Sequence, residues 1–286
     1  FKFLAPYNLS YGINEIPEKG VINTINTNNG IGFEVKDTDN NGWVDPKLFH
    51  GETKGYSQKV ILISSKVTGV LELKIQQTNS SLDFNLESSN LVRPSFVQSA
   101  FLSWGTMLRK CIADFLDIEV SELTMSYCNL REQDKIYPVV YFVEQLENGA
   151  GYTSYLGSSS QTIEDSILNS LDMNKSDFVK RLLDEKHSVS CDSSCYDCLQ
   201  DYYNRDIHSL LDWRLGLDLS QIAKDNKFVP SLKSSYWKSN IERKFDSMIE
   251  SEDVDSYVDK DETWQIKSSG KEYFLVHPLW SDEKIA

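Results

Sequence analysis

Three of the chain's 5 cysteines fall within eight residues, in Cys191-Asp-Ser-Ser-Cys195-Tyr-Asp-Cys198, a C-x3-C-x2-C run. A structural zinc ion takes four tetrahedral ligands, thiolate sulfur or imidazole nitrogen, so three cysteines and one histidine complete a set. The short C-x2-C knuckle lets one ion hold two neighbouring thiolates, and a later donor closes the loop. Two histidines compete for that place. His208 lies ten residues past Cys198, on the far side of the turn, and is the favoured closure; His187 stands four residues before Cys191 in an H-x3-C spacing. The expected ligands are therefore Cys191, Cys195, Cys198 and His208, with Zn2+ as the cofactor and His187 as the rival fourth donor. Five cysteines in 286 residues are too sparse for a disulfide scaffold. No strand-led thioredoxin pattern precedes the C-x2-C pair either.

The remaining pattern predicts an α+β protein: a mainly antiparallel sheet with packed helices, a zinc-stapled helical segment, and a small C-terminal helix plus hairpin. Gly20–Ile25 and Ile31–Val35 read as short strands joined by turns. Val60–Ser64 and Val67–Ile75 read as further strands, and Leu82–Leu86 alternates with period two. Asp37–Asp45 imitates the opening of a calcium loop, but Leu48 stands where the bidentate Glu is needed, so a polar turn is expected. From Ser95, a candidate N-cap, apolar residues recur at three- and four-residue spacing through Val97, Phe101, Trp104, Leu108 and Ile112 to Phe115. Cys111 lies on that stripe and Cys128 ends a strand-like run, so both are assigned to the core.

Tyr137–Val143 reads as a buried strand running into Gly149-Ala150-Gly151, where a tight turn is favoured over an anion site. Helices are expected over 161–171, 175–184 and Asp206–Leu219, and again around Tyr236–Ile249. An acidic solvated loop is expected over Glu250–Glu262 and a hairpin over Thr263–His277, turning at Ser269-Gly270. The domain reading is 1–220, with the cysteine cluster at 187–208, followed by a 233–286 extension.

Composition narrows the function. With 29 basic and 43 acidic residues the net charge is −14, a poor balance for a stand-alone binder of nucleic acid phosphates. No run of 18 apolar residues spans a membrane. The first residues are too short and too soon broken for a signal peptide, which gives a cytoplasmic expectation. The start at Phe1 suggests a piece of a longer polypeptide. No G-x4-G-K-[ST] loop exists for ATP, and the zinc deaminase signature is absent. Gln265-Ile-Lys267 on a strand, with Asp255 or Asp261 before it, imitates a PD-(D/E)xK nuclease and is kept as a minor alternative.

The run Cys-Asp-Ser-Ser-Cys-Tyr-Asp-Cys-Leu, with Tyr202-x-Asn204 and His208-x-x-Leu211-Asp-Trp-Arg-Leu215 behind it, resembles the cysteine signature of the DUF1998, or MrfA-type zinc-binding, domain. Asn23–Phe33, Val67–Leu71 and Leu146–Tyr152 are compatible with it, so the resemblance covers roughly 20–219. One departure stands out: Tyr203 occupies the place of a fourth cysteine, which brings the histidines into question. The family also has a histidine shortly before Leu-Asp. The resemblance implies a non-catalytic, zinc-binding accessory module of a superfamily 2 DNA helicase or translocase, in bacterial DNA repair or DISARM-type phage defence. The implied partners are the helicase motor domains, in the same chain or a separate subunit, with single-stranded or duplex DNA as a further contact. A protein–protein assembly module of a defence complex, without DNA contact, is the other class.

Overall fold

The longest apolar stripe of the sequence becomes α1 (Arg93–Leu116), the helix against which the two strands that follow it and the helix after the cysteines pack. It starts ahead of Pro94, which is tolerated in a first turn because its missing N–H has no helical partner there. Ser95 therefore lies inside the first turn instead of capping it. Val97, Ala100, Phe101, Trp104, Met107, Leu108, Cys111 and Ile112 are buried, whereas Phe115 in the last turn is exposed. Burying each large apolar side chain contributes about 1.5–3 kcal/mol, so this stripe anchors the core.

The computed structural model describes residues 2–8, 20–27, 30–37, 42–44, 69–75, 79–86, 93–132, 135–145 and 150–285. Strands β1 (Lys2–Asn8), β2 (Gly20–Thr27), β3 (Gly30–Asp37), β4 (Gly42–Val44) and β5 (Gly69–Lys74) precede α1, and β6 (Leu123–Glu132) and β7 (Lys135–Glu144) follow it. A four-stranded antiparallel sheet has the order β1-β5-β7-β6, while β2-β3-β4 form a separate antiparallel sheet. The expected strand at Val60–Ser64 and the interior of the Asp37–Asp45 turn lie outside the described residues. Leu82–Leu86 has the buried and open alternation of a strand, with Leu82 and Phe84 inside. Among the described residues, however, it forms an isolated bridge from Leu82 to Trp280 and no longer strand pairing.

Two glycines set the layering around α1. A Cβ on Gly105 would come within 2.8 Å of Val140 Cγ1 and 3.1 Å of Met125, so α1 lies directly on β6 and β7. On the opposite side, a Cβ on Gly216 would meet Met107 Sδ at 2.7 Å and the Ser103 backbone at 3.0 Å. That second contact brings in the helix Trp213–Lys224, giving three layers: sheet, α1, and the helix that follows the cysteines.

Between β7 and the cysteines run α2 (Tyr152–Leu156), α3 (Ser160–Ile163), a π-helical turn Glu164–Leu168, α4 (Asp177–Leu183) and α5 (Glu185–Ser190). The expected Asp206–Leu219 helix is two elements, a 3-10 helix Tyr202–Leu210 and α6 (Trp213–Lys224), divided at Leu211-Asp212. Asp212 is the reason for the second start: its carboxylate accepts the Arg214 N–H and caps α6.

The last segment holds α7 (Ser235–Glu250), β8 (Ser256–Lys260), β9 (Thr263–Ser268), β10 (Lys271–Leu275) and α8 (Asp282–Ile285). The hairpin turns at Ser269-Gly270, both at positive φ (52° and 75°), as a two-residue primed turn requires. The acidic stretch expected to be a loop contributes the third strand, β8. Tyr257 explains it: its ring packs 5.0 Å from Phe245 and 5.7 Å from Trp264, and its hydroxyl donates to Asp246. Trp264, Leu279 and Trp280 share one hydrophobic cluster with the α1 and α6 residues.

Candidate metal centre

Helix α5 begins at Asp184, whose carboxylate accepts the Lys186 N–H, and ends into Cys191, whose N–H donates to the His187 carbonyl at 2.8 Å. One helical turn thus sets His187 and Cys191 on the same face. The chain then turns through the C-x2-C knuckle. The Cys198 and Gln200 N–H groups both donate to the Cys195 carbonyl, at 3.1 and 2.9 Å. The Cys195 N–H points at Cys198 Sγ, 3.1 Å away, an orientation that favours a thiolate.

These turns bring four donor atoms together. Cys191 Sγ to Cys198 Sγ is 3.8 Å, Cys195 Sγ to Cys198 Sγ 3.5 Å, and Cys195 Sγ to His187 Nε2 3.5 Å. All four ligand atoms lie within 4.8 Å of one another. A tetrahedron with arms of about 2.3 Å has edges of about 3.8 Å, so the donor set fits one zinc-sized ion. The imidazole is aimed by its other nitrogen: Nδ1 hydrogen-bonds the Leu182 carbonyl at 2.9 Å, leaving Nε2 for a metal. The His187 ring also packs 5.5 Å from Trp213, and Cys191 and Cys198 are buried.

The histidine of this group is therefore His187; His208, the expected closure, is not in it. The Nε2 of His208 hydrogen-bonds Asn204 Oδ1 at 2.7 Å and the Asp201 carbonyl at 3.0 Å, which closes the Asn-bearing turn. Asn204 fixes that turn further by donating to the Leu199 carbonyl and accepting from the Asp201 N–H. The 3-10 helix thus uses His208 as a turn clasp. Cys111 and Cys128 also stand apart from the group, as their places in α1 and β6 predict. Burial pushes the Cys111 thiol up to about 12, consistent with an unreactive core residue.

The thiols interact strongly among themselves. Hydrogen bonding from Cys191, then the Cys195 N–H, pulls the Cys198 thiol down against the effect of burial. Cys191 is pushed up because it donates to Cys198. Two cations attend the loop. The Lys110 ammonium donates to the Cys198 carbonyl, and Arg214 is fully buried against the backbone of residues 188–192. The set can do one thing well: hold a closed, four-ligand ion of net charge about −1 if the ion is divalent, with no ligand position left for a substrate.

Two alternatives from the sequence find other roles. Of the Gly149-Ala150-Gly151 turn, Gly149 lies outside the described residues, and the N–H groups that follow it already have an anion: Glu144 accepts from the N–H of Ala150, Gly151 and Thr153 and from the Thr153 hydroxyl. This buried carboxylate fills the start of α2, where a phosphate would otherwise approach. On β9, Gln265 and Lys267 both turn to Glu272 of β10. Among the described residues the group of three or more metal-capable side chains is the cysteine–histidine set, so no carboxylate cluster gathers near Lys267.

No protein-family model, no curated protein and no solved structure matches this chain. Fold and site together define an α+β protein carrying a Cys3His donor set. Among the described residues no helix is long and apolar enough to cross a membrane.

Proposed function

We propose that this chain is a non-catalytic zinc-binding accessory module whose metal orders the 187–200 loop for docking on the motor domains of a DNA helicase or translocase. The observation that carries the metal part is the convergence of Cys191, Cys195, Cys198 and His187 within 4.8 Å, with the imidazole aimed by Leu182. Three sulfurs and one nitrogen suit zinc better than magnesium or calcium, which prefer oxygen. A catalytic zinc keeps an open position and an acid or base beside it. Here Asp192 is paired with Arg243, and four protein donors use up the coordination.

The helicase part rests on the resemblance of the cysteine run to MrfA-type domains. The motor would supply ATP hydrolysis, and the module would hold a loop in a fixed shape against it. The test compares strand separation by the complete assembly with wild-type and Cys195→Ser modules, at matched folded protein. Slower unwinding with Cys195→Ser is expected, and equal unwinding would leave plain scaffolding as the role. Crosslinking of single-stranded DNA in the same assembly separates the second reading, assembly without DNA contact: label on residues 187–210 supports a DNA path there.

A further inference from the structure

A guanidinium is a costly group to bury, yet Arg214 is 0% exposed. Nothing in the metal chemistry requires it, since it lies sixteen residues beyond Cys198 and donates no ligand. Its partners account for it. Nη1 donates to the Asp192 carbonyl at 2.8 Å, and Nη2 to the carbonyls of Ser188 and Cys191 at 3.1 and 3.2 Å. Nε donates to the Tyr236 carbonyl at 2.8 Å, in the first turn of α7. The guanidinium carbon lies 4.3 Å from the centroid of the Trp213 ring, the same ring that packs on His187.

Three of these carbonyls belong to the stretch where α5 ends and the cysteine loop begins. At that point the helix has run out and its last carbonyls lack intrahelical donors. Arg214 supplies those donors from outside and so fixes the direction in which Cys191 leaves the helix. It also places a positive charge beside a donor set that would carry three thiolates with an ion bound. The fourth bond reaches α7, and Arg243 of α7 returns to the Asp192 carboxylate. One side chain therefore touches both the metal loop and the C-terminal helix.

We propose that Arg214 is the positioning residue of the metal loop, and that through its fork the metal affinity and the docking of the first turns of α7 are coupled. This rests on the reading of Cys191, Cys195, Cys198 and His187 as a zinc site and names what regulates it. Lysine cannot reproduce the role, because an ammonium lacks the planar set of donors that spans four carbonyls. Coupling is reciprocal: if holding α7 in place favours zinc, zinc favours α7 in place.

The experiment measures zinc affinity by competition with a chromophoric chelator for wild type, Arg214→Met, Arg214→Lys and Arg243→Ala. Outer-shell changes at metal sites typically lower affinity about 10–100-fold, and that range is expected for Arg214→Met, with Arg214→Lys between it and wild type. Arg243→Ala, which removes a surface ion pair, should stay within about twofold. Hydrogen exchange of the zinc-loaded proteins should show faster amides at 188–192 and 236–243 in Arg214→Met. A folded Arg214→Met with wild-type affinity and wild-type exchange overturns the proposal.

If Arg214→Met does not fold, the guanidinium of the wild-type protein is observed directly by nitrogen-15 NMR. Slowly exchanging Nε and Nη resonances are expected with zinc, and their broadening or collapse after chelation. Resonances indifferent to zinc overturn the proposal as well. Wild-type protein that binds no zinc defeats the metal reading itself, a result distinct from either.

Discussion

At the scale of single residues, what decides a role is the partner of each polar atom. His187 and His208 are equally available in the sequence, and the choice between them turns on hydrogen bonds. His187 spends Nδ1 on a backbone carbonyl and offers Nε2 to the sulfurs, whereas His208 spends Nε2 on Asn204 and Asp201. The H-x3-C spacing did hold the signal, because a residue and its fourth neighbour share a helix face once α5 is recognised. What hid it was the brevity of α5, a single polar turn with no apolar stripe to announce it. Asp212 carries a prediction at the same scale. Burial raises its carboxyl from 3.8 to about 6, so the folded state holds a proton that the unfolded state has released. Stability should therefore fall as pH rises through about 4 to 6, and Asp212→Asn, which can still cap α6, should flatten that slope. Denaturation midpoints at pH 4, 5 and 6.5 check it; equal slopes for both proteins contradict it.

At the scale of elements, the long periodic features were legible and the short ones were not. The α1 stripe, the β7 strand and the Ser269-Gly270 hairpin all follow from periodicity or turn chemistry that needs no tertiary knowledge. The split of Asp206–Leu219 was not legible, because apolar residues run through both pieces and only the Asp212 cap separates them. Nor was β8, whose acidic residues conceal one aromatic, Tyr257, that fastens it to Phe245 and Trp264. The seam between α1 and α6 gives the sharpest test at this scale. Gly216→Val adds atoms where even one Cβ meets Met107 and the Ser103 backbone. It should destabilise by about 2 kcal/mol or more, through overpacking. Urea unfolding reads it, and a variant as stable as wild type would show that the two helices are not in such close contact.

At the scale of the whole molecule, a buried carboxylate links the cysteine-bearing part to the C-terminal segment. Asp218 of α6 is 0% exposed and accepts from Tyr236 Oη at 2.6 Å, Trp237 Nε1 at 2.7 Å and His277 Nε2 at 3.0 Å. His277 is oriented in turn by the Leu279 N–H, which donates to Nδ1. Asp218→Ala leaves two buried donors and a half-buried one without an acceptor and should cost about 3–5 kcal/mol. The loss should appear in calorimetry as a lower midpoint, with α7 and the β8–β10 sheet losing hydrogen-exchange protection first. Protection lost uniformly along the chain would speak against this link. The central claim is the donor set, and zinc content per chain is its most direct measure. Wild type and His208→Ala should each retain about one Zn2+ per chain, while His187→Ala and Cys198→Ser should lose it; zinc kept by His187→Ala and lost by His208→Ala would contradict the assignment.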